Sequence, residues 1–451
     1  MGRSNITVNI LEVVRVRPPP HTVSLTLPLT FFDLGWLKFH PIDRVLFYHV
    51  PELTPSSLIP KLKSSLSATL LHYLPLAGRL VWDQTYTKPS IVSSPDDGVY
   101  VTVAESNGDL SRLAGDKPRP ATEFHPLVPE LHVSDEMARV LAVQITLFPN
   151  QGFCLAVTSH HAVLDGKTTS MFLKAWAHNC KQEQECGSRD ALTYDLIPFM
   201  DRTVVQDPTG IETKLLTMWV SASNNKRSLK LFPSKVVGED VVRVTHRLTR
   251  ENIQKLRERV VETTRAELHL STFVITYAYV ITCMVKARGG DPTRQVCVIF
   301  ASDFRSRLNP PLPSTYFGNC IVGTGDFDLK AEPILEEGQG LGFMSAVESV
   351  SGWVKGLCSE NIEKSMLSPF EAFNRMEPGR QVISVSGSTR LGIYGSDFGW
   401  GKPVKVEIVT IDKDEAVSLS ESGDGTGGVE IGVCLKKDEM ERFGENLNQG
   451  P

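Results

Sequence analysis

The sequence places two adjacent histidines where an apolar strand gives way to a helix. Residues 153–159 have the composition of a buried strand and residues 167–180 have helical spacing, so residues 160–166 predict a connecting loop. A histidine held by rigid backbone at a strand end can project into a cleft. It can accept a proton from a substrate hydroxyl, because an unperturbed imidazole has a pKa of about 6.5. Such a general base contributes about 10²–10⁴-fold in rate.

Structural interpretations of the same residues stand beside the chemical one. In an extended chain His160 and His161 point to opposite faces, so at most one of them serves a site, and a strand-end histidine is often only structural. Asp165 stands just before the helix and suits its N-cap. We predict no metal site, because the sequence offers no third ligand at a suitable spacing.

The segments around this loop predict a mixed α/β protein of two domains. The chain has 451 residues, which is long for one ordinary domain, and strand-like and helix-like patterns alternate along it. After Lys181 the pattern breaks down into a polar stretch with glycine, proline and asparagine. We therefore predict an N-terminal domain over 1–185, a crossover linker over 186–235 and a C-terminal domain over 236–451.

Composition excludes several classes of protein. The formal net charge is −5 and charged residues of both signs are mixed, which argues against a nucleic-acid partner. No apolar run reaches the roughly 20 residues that span a bilayer, and the N-terminus lacks a signal-peptide pattern. None of the eight cysteines forms a Cys-x-x-Cys pair, and several stand in apolar runs. We therefore expect buried free thiols and a soluble protein of the cytosol.

Two motifs far apart in the chain resemble those of the plant BAHD acyltransferase family. The first is His161-Ala-Val-Leu-Asp165-Gly166, which matches His-x-x-x-Asp-Gly, and the second is Asp397-Phe-Gly399-Trp400-Gly401. Further matching pieces extend over essentially the whole chain. They include the segments around Trp36, Arg202, Arg305 and Asn319. The segment Tyr316-Phe-Gly-Asn319-Cys is most similar to the branch that acylates flavonoid and other phenolic glucosides, often from malonyl-CoA.

The resemblance implies two chloramphenicol-acetyltransferase-like domains with the active-site channel between them. It implies an acyl-CoA-dependent O-acyltransferase in which His161 is the general base, with no acyl-enzyme and no permanently bound cofactor. The coenzyme A thioester is then a co-substrate, and the acceptor is the glucose 6-hydroxyl of a phenolic or flavonoid glucoside. We further expect a monomer without membrane partners.

The resemblance also assigns roles to individual residues. Asp165 orients His161 through an ion pair with Arg305, and the segment from Asp397 through Gly399 and Trp400 to Gly401 is structural. Coenzyme A needs local cations, and a malonyl carboxylate needs an arginine or lysine. Predicted contacts with coenzyme A or substrate are Trp36, Arg202, Lys286, Asn319, Ser384 and Ser386.

Two other functions fit the same motifs. A hydroxycinnamoyl or other aromatic acyltransferase would use the same base with a larger donor pocket. A binding protein that kept the fold without turnover is the alternative from another class, although the intact His161, Asp165 and Asp397–Gly401 argue against decay.

Overall fold

Strands and helices alternate along the chain, and the computed structural model describes residues 6–20, 22–186, 191–336, 338, 340–375, 380–413 and 416–450. The strands are β1 (Val8–Val16), β2 (Leu25–Pro28), β3 (Ile42–His49), β4 (Arg79–Val81), β5 (Ser90–Ser93), β6 (Val99–Ser106), β7 (Arg119–Pro120), β8 (Met137–Arg139), β9 (Leu141–Phe148), β10 (Gly152–Ser159), β11 (Val241–Leu248), β12 (Gln295–Asp303), β13 (Ile321–Lys330), β14 (Gln381–Ser386), β15 (Lys405–Ile408), β16 (Val417–Glu421) and β17 (Val429–Lys436). The helices are α1 (Phe31–Leu34), α2 (Pro55–His72), α3 (Leu110–Leu113), α4 (Gly166–Cys186), α5 (Ile211–Ala222), α6 (Arg250–Thr263), α7 (Thr272–Arg288), α8 (Glu332–Leu335), α9 (Leu341–Lys355), α10 (Ile362–Asn374) and α11 (Lys437–Gln449).

The strands of the described residues form two large mixed sheets and one small sheet. The first large sheet has the order β1-β6-β9-β10-β3-β15, and the second has the order β13-β12-β14-β16-β17-β11-β7. The small sheet has the order β2-β5-β4-β8. Parallel pairs occur between β6 and β9, between β12 and β14, and between β14 and β16. The α/β class predicted from the alternating pattern is therefore confirmed.

The first core forms between the first sheet and helices α2 and α4. Leu58, Leu62, Leu66 and Leu70 of α2 are all fully buried, because a repeat of four residues keeps them on one helix face. Strands β9 and β10 are buried on both faces along their whole length, as expected for apolar strands in the middle of a sheet. Strand β10 therefore gives the loop that follows it a rigid base.

The second core lies between the second sheet and helices α6, α7, α9 and α11. Residues 274–285 of α7 are buried all round, and α7 packs against α9 and α11. On β14, Ile383 and Val385 face this core, while Ser384 and Ser386 alternate to the other face. That other face is turned toward the first sheet.

The two halves of the chain exchange strands. β15 from the second half pairs with β3 in the first sheet, and β7 from the first half pairs with β11 in the second sheet. A buried network of ion pairs, formed by Glu407 with Arg119 and Arg243, lies where the strands are exchanged. Glu407 Oε1 lies 3.1 Å from Arg119 Nη2, and Glu407 Oε2 lies 3.2 Å from Arg243 Nη1. The domain boundaries remain a prediction, but these contacts tie the two sheets together.

The predicted crossover is more ordered than its composition suggested. Helix α5 lies inside it and buries Ile211, Leu215 and Trp219, and Trp219 Nε1 donates to the carbonyl of Leu34 at 2.8 Å. The expectation of an irregular stretch over 186–235 is therefore wrong for α5. Residues 187–190, in the same predicted linker, lie outside the described residues. None of the described helices is both long enough and apolar enough to cross a bilayer.

Candidate active site

The loop between β10 and α4 carries the two histidines in different environments. His160 is fully buried, and its Nδ1 accepts a hydrogen bond from the backbone N–H of Ala162 at 3.2 Å. His161 is only partly buried. Of the two, His161 is therefore the histidine that a substrate can reach.

The imidazole of His161 is held between aromatic rings. Trp36 stacks on it with ring centroids 4.3 Å apart and an interplanar angle of 8°. Phe39 meets it at an angle of 66°, with centroids 6.3 Å apart. The indole is itself fixed, because Trp36 Nε1 donates to the backbone carbonyl of Ile321 at 3.3 Å. These contacts leave the ring little freedom to rotate.

The protonation state of His161 suits a base. Burial lowers its pKa from 6.5 to about 4, and its own backbone carbonyl and Asp165 only partly offset this effect. The ring is therefore neutral at pH 7. Nδ1 is the buried nitrogen, so Nε2 is the atom that can accept a proton from a substrate.

Asp165 is turned away from the histidine ring and into a buried ion pair. Its Oδ2 lies 2.7 Å from Arg305 Nη1 and accepts a hydrogen bond from the N–H of Cys320 at 3.1 Å, and its Oδ1 accepts one from the N–H of Thr168 at 2.8 Å. Burial alone would raise the pKa of Asp165, but Arg305 and these N–H groups lower it below its usual value. Asp165 therefore ties the start of α4 to residues 305 and 320.

A second buried network supports His161 from its backbone side. Asn319 Nδ2 donates to the carbonyl of His161 at 2.8 Å and to Asp33 Oδ1 at 3.2 Å. Asp33 Oδ2 lies 3.2 Å from Arg202 Nη1, which also donates to the hydroxyl of Tyr316 at 2.7 Å. The side chain of Asn319 is fully buried and supports the backbone of His161, so its direct contact with substrate stays a prediction.

The segment Asp397–Gly401 forms a tight loop organised by its first residue. Asp397 Oδ1 accepts hydrogen bonds from the N–H groups of Gly399 and Gly401, both at 2.9 Å, and its Oδ2 lies 2.8 Å from Lys181 Nζ on α4. Both glycines have positive φ values, 99° and 89°, which few other residues adopt at low cost. Phe398 is fully buried, whereas Trp400 is partly buried with its ring edge-on to Phe153.

The structure separates the predicted coenzyme A contacts into two groups. Ser384 and Ser386 lie on the face of β14 that is turned toward the first sheet, and Ser386 is paired with Ser418 of β16. Lys286 is exposed near the end of α7, in the helical layer on the other face of the second sheet. The sequence suggested a single set of contacts, but the second sheet separates Lys286 from Ser384 and Ser386.

A surface cleft that the sequence did not reveal carries two arginines. It has a volume of about 290 Å³ and is lined by Arg250, Ile253, Gln254, Arg257, Thr272 and Gly427. Arg257 is oriented by donating to the carbonyl of Leu270 at 3.1 Å and to Gln254 Oε1 at 2.6 Å. No acidic side chain lines the cleft, so it is suited to an anionic group.

Sequence reasoning missed several contacts of the site for identifiable reasons. Trp36 was predicted to contact coenzyme A or the substrate, but nothing in its neighbours along the chain indicates stacking on His161. Asp33 stands in the same segment, but its pairing with Arg202 depends on the fold. Among the described residues no cluster of histidine, cysteine, aspartate and glutamate could hold a metal ion.

The chain is similar to known acyltransferases in sequence and in fold. The profile of the Transferase family matches residues 6–449. The chain is 78% identical over 453 residues, covering 100% of both proteins, to an Arabidopsis thaliana protein named malonyl-CoA:anthocyanidin 5-O-glucoside-6''-O-malonyltransferase. It is 50% identical to phenolic glucoside malonyltransferase 1 of Arabidopsis thaliana, covering 98% of each. The crystal structure of vinorine synthase has the same fold, with a TM-score of 0.71, 22% identity and 98% coverage of each chain.

Proposed function

Because this chain belongs to the Transferase family, as one of the BAHD acyltransferases, we propose that it transfers malonyl from malonyl-CoA to the 6-hydroxyl of the glucose of an anthocyanin or other phenolic glucoside. The observation that carries the proposal is the neutral, partly buried His161, held in place by rings and hydrogen bonds with Nε2 available to a hydroxyl. The 78% identity to a malonyltransferase of anthocyanidin glucosides supports the choice of donor and acceptor.

The chemistry needs one proton acceptor and no covalent enzyme intermediate. His161 Nε2 takes the proton of the sugar hydroxyl as its oxygen forms a bond to the thioester carbonyl carbon. The tetrahedral intermediate collapses with cleavage of the carbon–sulfur bond. The coenzyme A thiolate then takes a proton from the imidazolium, which returns His161 to its neutral form. Holding both substrates at one base supplies much of the rate advantage through orientation.

The residues around His161 are assigned positioning roles. Asp165 and Arg305 fix the loop at the start of α4, and Asn319 fixes the carbonyl of His161. Arg202 is among the predicted contacts with coenzyme A or substrate, and its guanidinium could pair with a malonyl carboxylate. Its ion pair with Asp33 and its burial favour a supporting role in the Asn319 network instead, because a carboxylate would have to displace Asp33.

The arginine cleft is the candidate for the phosphates of coenzyme A. Arg250 and Arg257 offer guanidinium groups without a competing carboxylate in the lining, and Thr272 stands beside them at the start of α7. The turn between β16 and β17 contributes Gly427 to the cleft, and β16 continues inward to Ser418, beside Ser386. We assign the phosphates to the arginines and the inner part of the donor to the face that carries Ser384 and Ser386. Lys286, near the C-terminal end of α7 and outside the lining of the cleft, is left as a weaker candidate.

We place the enzyme in the cytosol as a monomer. Cys154, Cys283, Cys297 and Cys320 are buried free thiols, which fits a reducing compartment.

A substrate panel tests the function. Purified protein is incubated with malonyl-, acetyl-, coumaroyl- and caffeoyl-CoA, each with anthocyanidin 5-O-glucosides, simple phenolic glucosides and the free aglycones. Release of the coenzyme A thiol and the mass of the product are followed. We expect turnover with malonyl-CoA and glucosides and none with aglycones. Preference for a hydroxycinnamoyl donor would support the aromatic acyltransferase, and absence of turnover with every pair would support the binding protein.

A further inference from the structure

A row of aromatic rings runs from His161 to the protein surface. Phe39 lies next to His161, with ring centroids 6.3 Å apart. The rings of Phe232 and Phe370 follow, with centroids 6.4 and 6.5 Å from that of Phe39. Trp219 supports the two outer rings from inside the protein, because its indole is almost completely buried and lies 5.7 Å from Phe232 and 5.1 Å from Phe370. We call Phe39, Phe232 and Phe370 the aromatic platform.

The rings of the aromatic platform are open to solvent although each of them contacts another ring. Phe232 is 45% exposed, and Phe39 and Phe370 are only partly buried, as is His161 itself. Large apolar side chains are mostly covered in a folded protein, and a contiguous exposed group of them commonly marks a binding surface. The platform therefore has the features of a binding-site wall that continues outward from the base.

Hydrogen bonds fix Phe232 at this place. Its N–H donates to the carbonyl of Lys38 at 2.9 Å, and the ammonium of Lys38 donates to the carbonyl of Ser228. Leu229, between these two points of attachment, is fully buried. The predicted crossover is thus fastened to the segment that carries Phe39, so the exposed ring of Phe232 stands on a fixed backbone.

Helix α10 brings Phe370 to the same place. An added Cβ at Gly35, next to Trp36, would be only 2.7 Å from Met366 Cε, so α10 packs closely on the segment that leads to the base. Phe370 follows Met366 by four residues and therefore lies on the same face of the helix. Three separate parts of the chain build the platform, namely the segment after α1, the crossover and α10.

An aromatic group attached to a sugar fits this arrangement. A glucosyl ring spans, from its 6-hydroxyl to its glycosidic oxygen, a distance comparable to that between His161 and Phe39. With the 6-hydroxyl at His161, an aglycone directed along the platform reaches Phe232 and Phe370. Offset-stacked or edge-to-face ring pairs stabilise a complex by more than their buried area alone. A flat aromatic aglycone therefore binds better here than a saturated ring of the same size.

We propose that the aromatic platform binds the aglycone of the acceptor and makes the enzyme selective for aryl over alkyl glucosides. The inference rests on the proposed function, because it names residues that would recognise the acceptor of that reaction. It assigns Phe232 and Phe370 to acceptor affinity, with no part in proton transfer or in the binding of coenzyme A.

Two glucosides that differ only in the aromaticity of the aglycone test the assignment. The wild type, Phe232→Leu and Phe370→Leu are assayed at saturating malonyl-CoA with phenyl β-glucoside and with cyclohexyl β-glucoside. We expect the wild type to favour the phenyl glucoside about tenfold in kcat/KM, and each leucine variant to lower this ratio about threefold or more by raising KM for the phenyl glucoside. KM for malonyl-CoA should stay within about twofold, because distant sites act independently.

Two further variants control for the loss of a ring as such. Phe232→Tyr keeps a ring in the platform and should retain the wild-type ratio. Tyr194→Leu removes a ring that is 83% exposed and lies outside the platform, so it should leave the ratio and both KM values unchanged. Phe232 is half-exposed, so we expect Phe232→Leu to fold, and it carries the comparison if thermal unfolding shows that Phe370→Leu does not.

The outcomes separate the proposed function from the platform. If the wild type acylates no glucoside, the proposed function fails. If the wild type acylates glucosides without favouring the phenyl compound, or if Phe232→Leu keeps the wild-type ratio, the platform is overturned. An increase in KM for malonyl-CoA with an unchanged ratio would place the rings at the donor and would overturn it as well.

Discussion

Trp36 and His161 stack nearly parallel, with ring centroids 4.3 Å apart, and the indole is anchored to the backbone of Ile321. A base that must meet a hydroxyl with correct geometry gains from a fixed ring, because small displacements weaken proton transfer. An aromatic face attracts a cation, so the indole stabilises the imidazolium formed during the reaction better than an aliphatic surface would. Trp36 is therefore assigned as a positioning residue for His161.

Replacing Trp36 by leucine should lower kcat about tenfold, because the imidazole loses its flat support. Trp36→Phe keeps a ring at this position and should retain most of the activity. Steady-state kinetics with malonyl-CoA and a glucoside provide the measurement. If Trp36→Leu raises KM for the acceptor and leaves kcat unchanged, Trp36 binds substrate directly, as first predicted from the sequence.

Asp165→Asn should reduce both stability and activity. The variant leaves Arg305 buried without its counter-charge, and breaking such a pair costs about 3–5 kcal/mol. Urea unfolding measures the loss, and kcat measured on the folded fraction should still fall because the loop of His161 is released. If Asp165→Asn removes an ionisation from the acid side of the pH–rate profile, Asp165 acts as a base and the positioning role is contradicted. A substrate complex with Asp165 beside the reacting hydroxyl would contradict it as well.

Arg250→Ala and Arg257→Ala should each raise KM for malonyl-CoA several-fold, and about tenfold together, if the cleft binds phosphates. KM for the glucoside should stay unchanged. Lys286→Ala, near the other end of α7, serves as the comparison outside the cleft, and 3'-dephospho-malonyl-CoA shows which phosphate is involved. If KM for malonyl-CoA is unchanged in the double variant and increased in Lys286→Ala, the phosphates bind near Lys286 and not in the cleft.

The acid limb of kcat/KM should lie near pH 4, because burial holds the pKa of His161 at about 4. His160 and His246 have similarly lowered pKa values, about 3 and about 4. The unfolded chain therefore binds more protons than the folded one below pH 6.5, and stability should fall as pH decreases from 6.5 toward 4. Thermal unfolding at each pH separates loss of fold from loss of activity. If the acid limb of kcat/KM is centred at pH 6.5 while the protein is still folded, the imidazole of His161 is solvated and the predicted shift is wrong.

The sequence predicted the local frame of the site well and its tertiary contacts poorly. The strand, loop and helix around His161 follow from apolar patterns that are continuous along the chain, so they could be identified directly. Helix α5 was missed because glycine, proline and asparagine in its surroundings were given more weight than the four-residue spacing of its buried residues Ile211, Leu215 and Trp219.

Contacts between distant segments had no local signal. Trp36 and Asn319 both reach His161 only because the segment after α1, the residues just before β13 and the loop after β10 come together. The charge of Arg202 was visible in the sequence, but its buried partner Asp33 was not, and that partner changes its expected role.

The single-turnover rate of His161→Ala decides whether His161 is the general base. Malonyl transfer to a phenolic glucoside is followed at saturating concentrations of both substrates, with circular dichroism and malonyl-CoA affinity confirming that the variant is folded and loaded. We expect the transfer step to slow by about 10²–10⁴-fold with the affinity for malonyl-CoA unchanged. Transfer at the wild-type rate by the folded, loaded variant would contradict it.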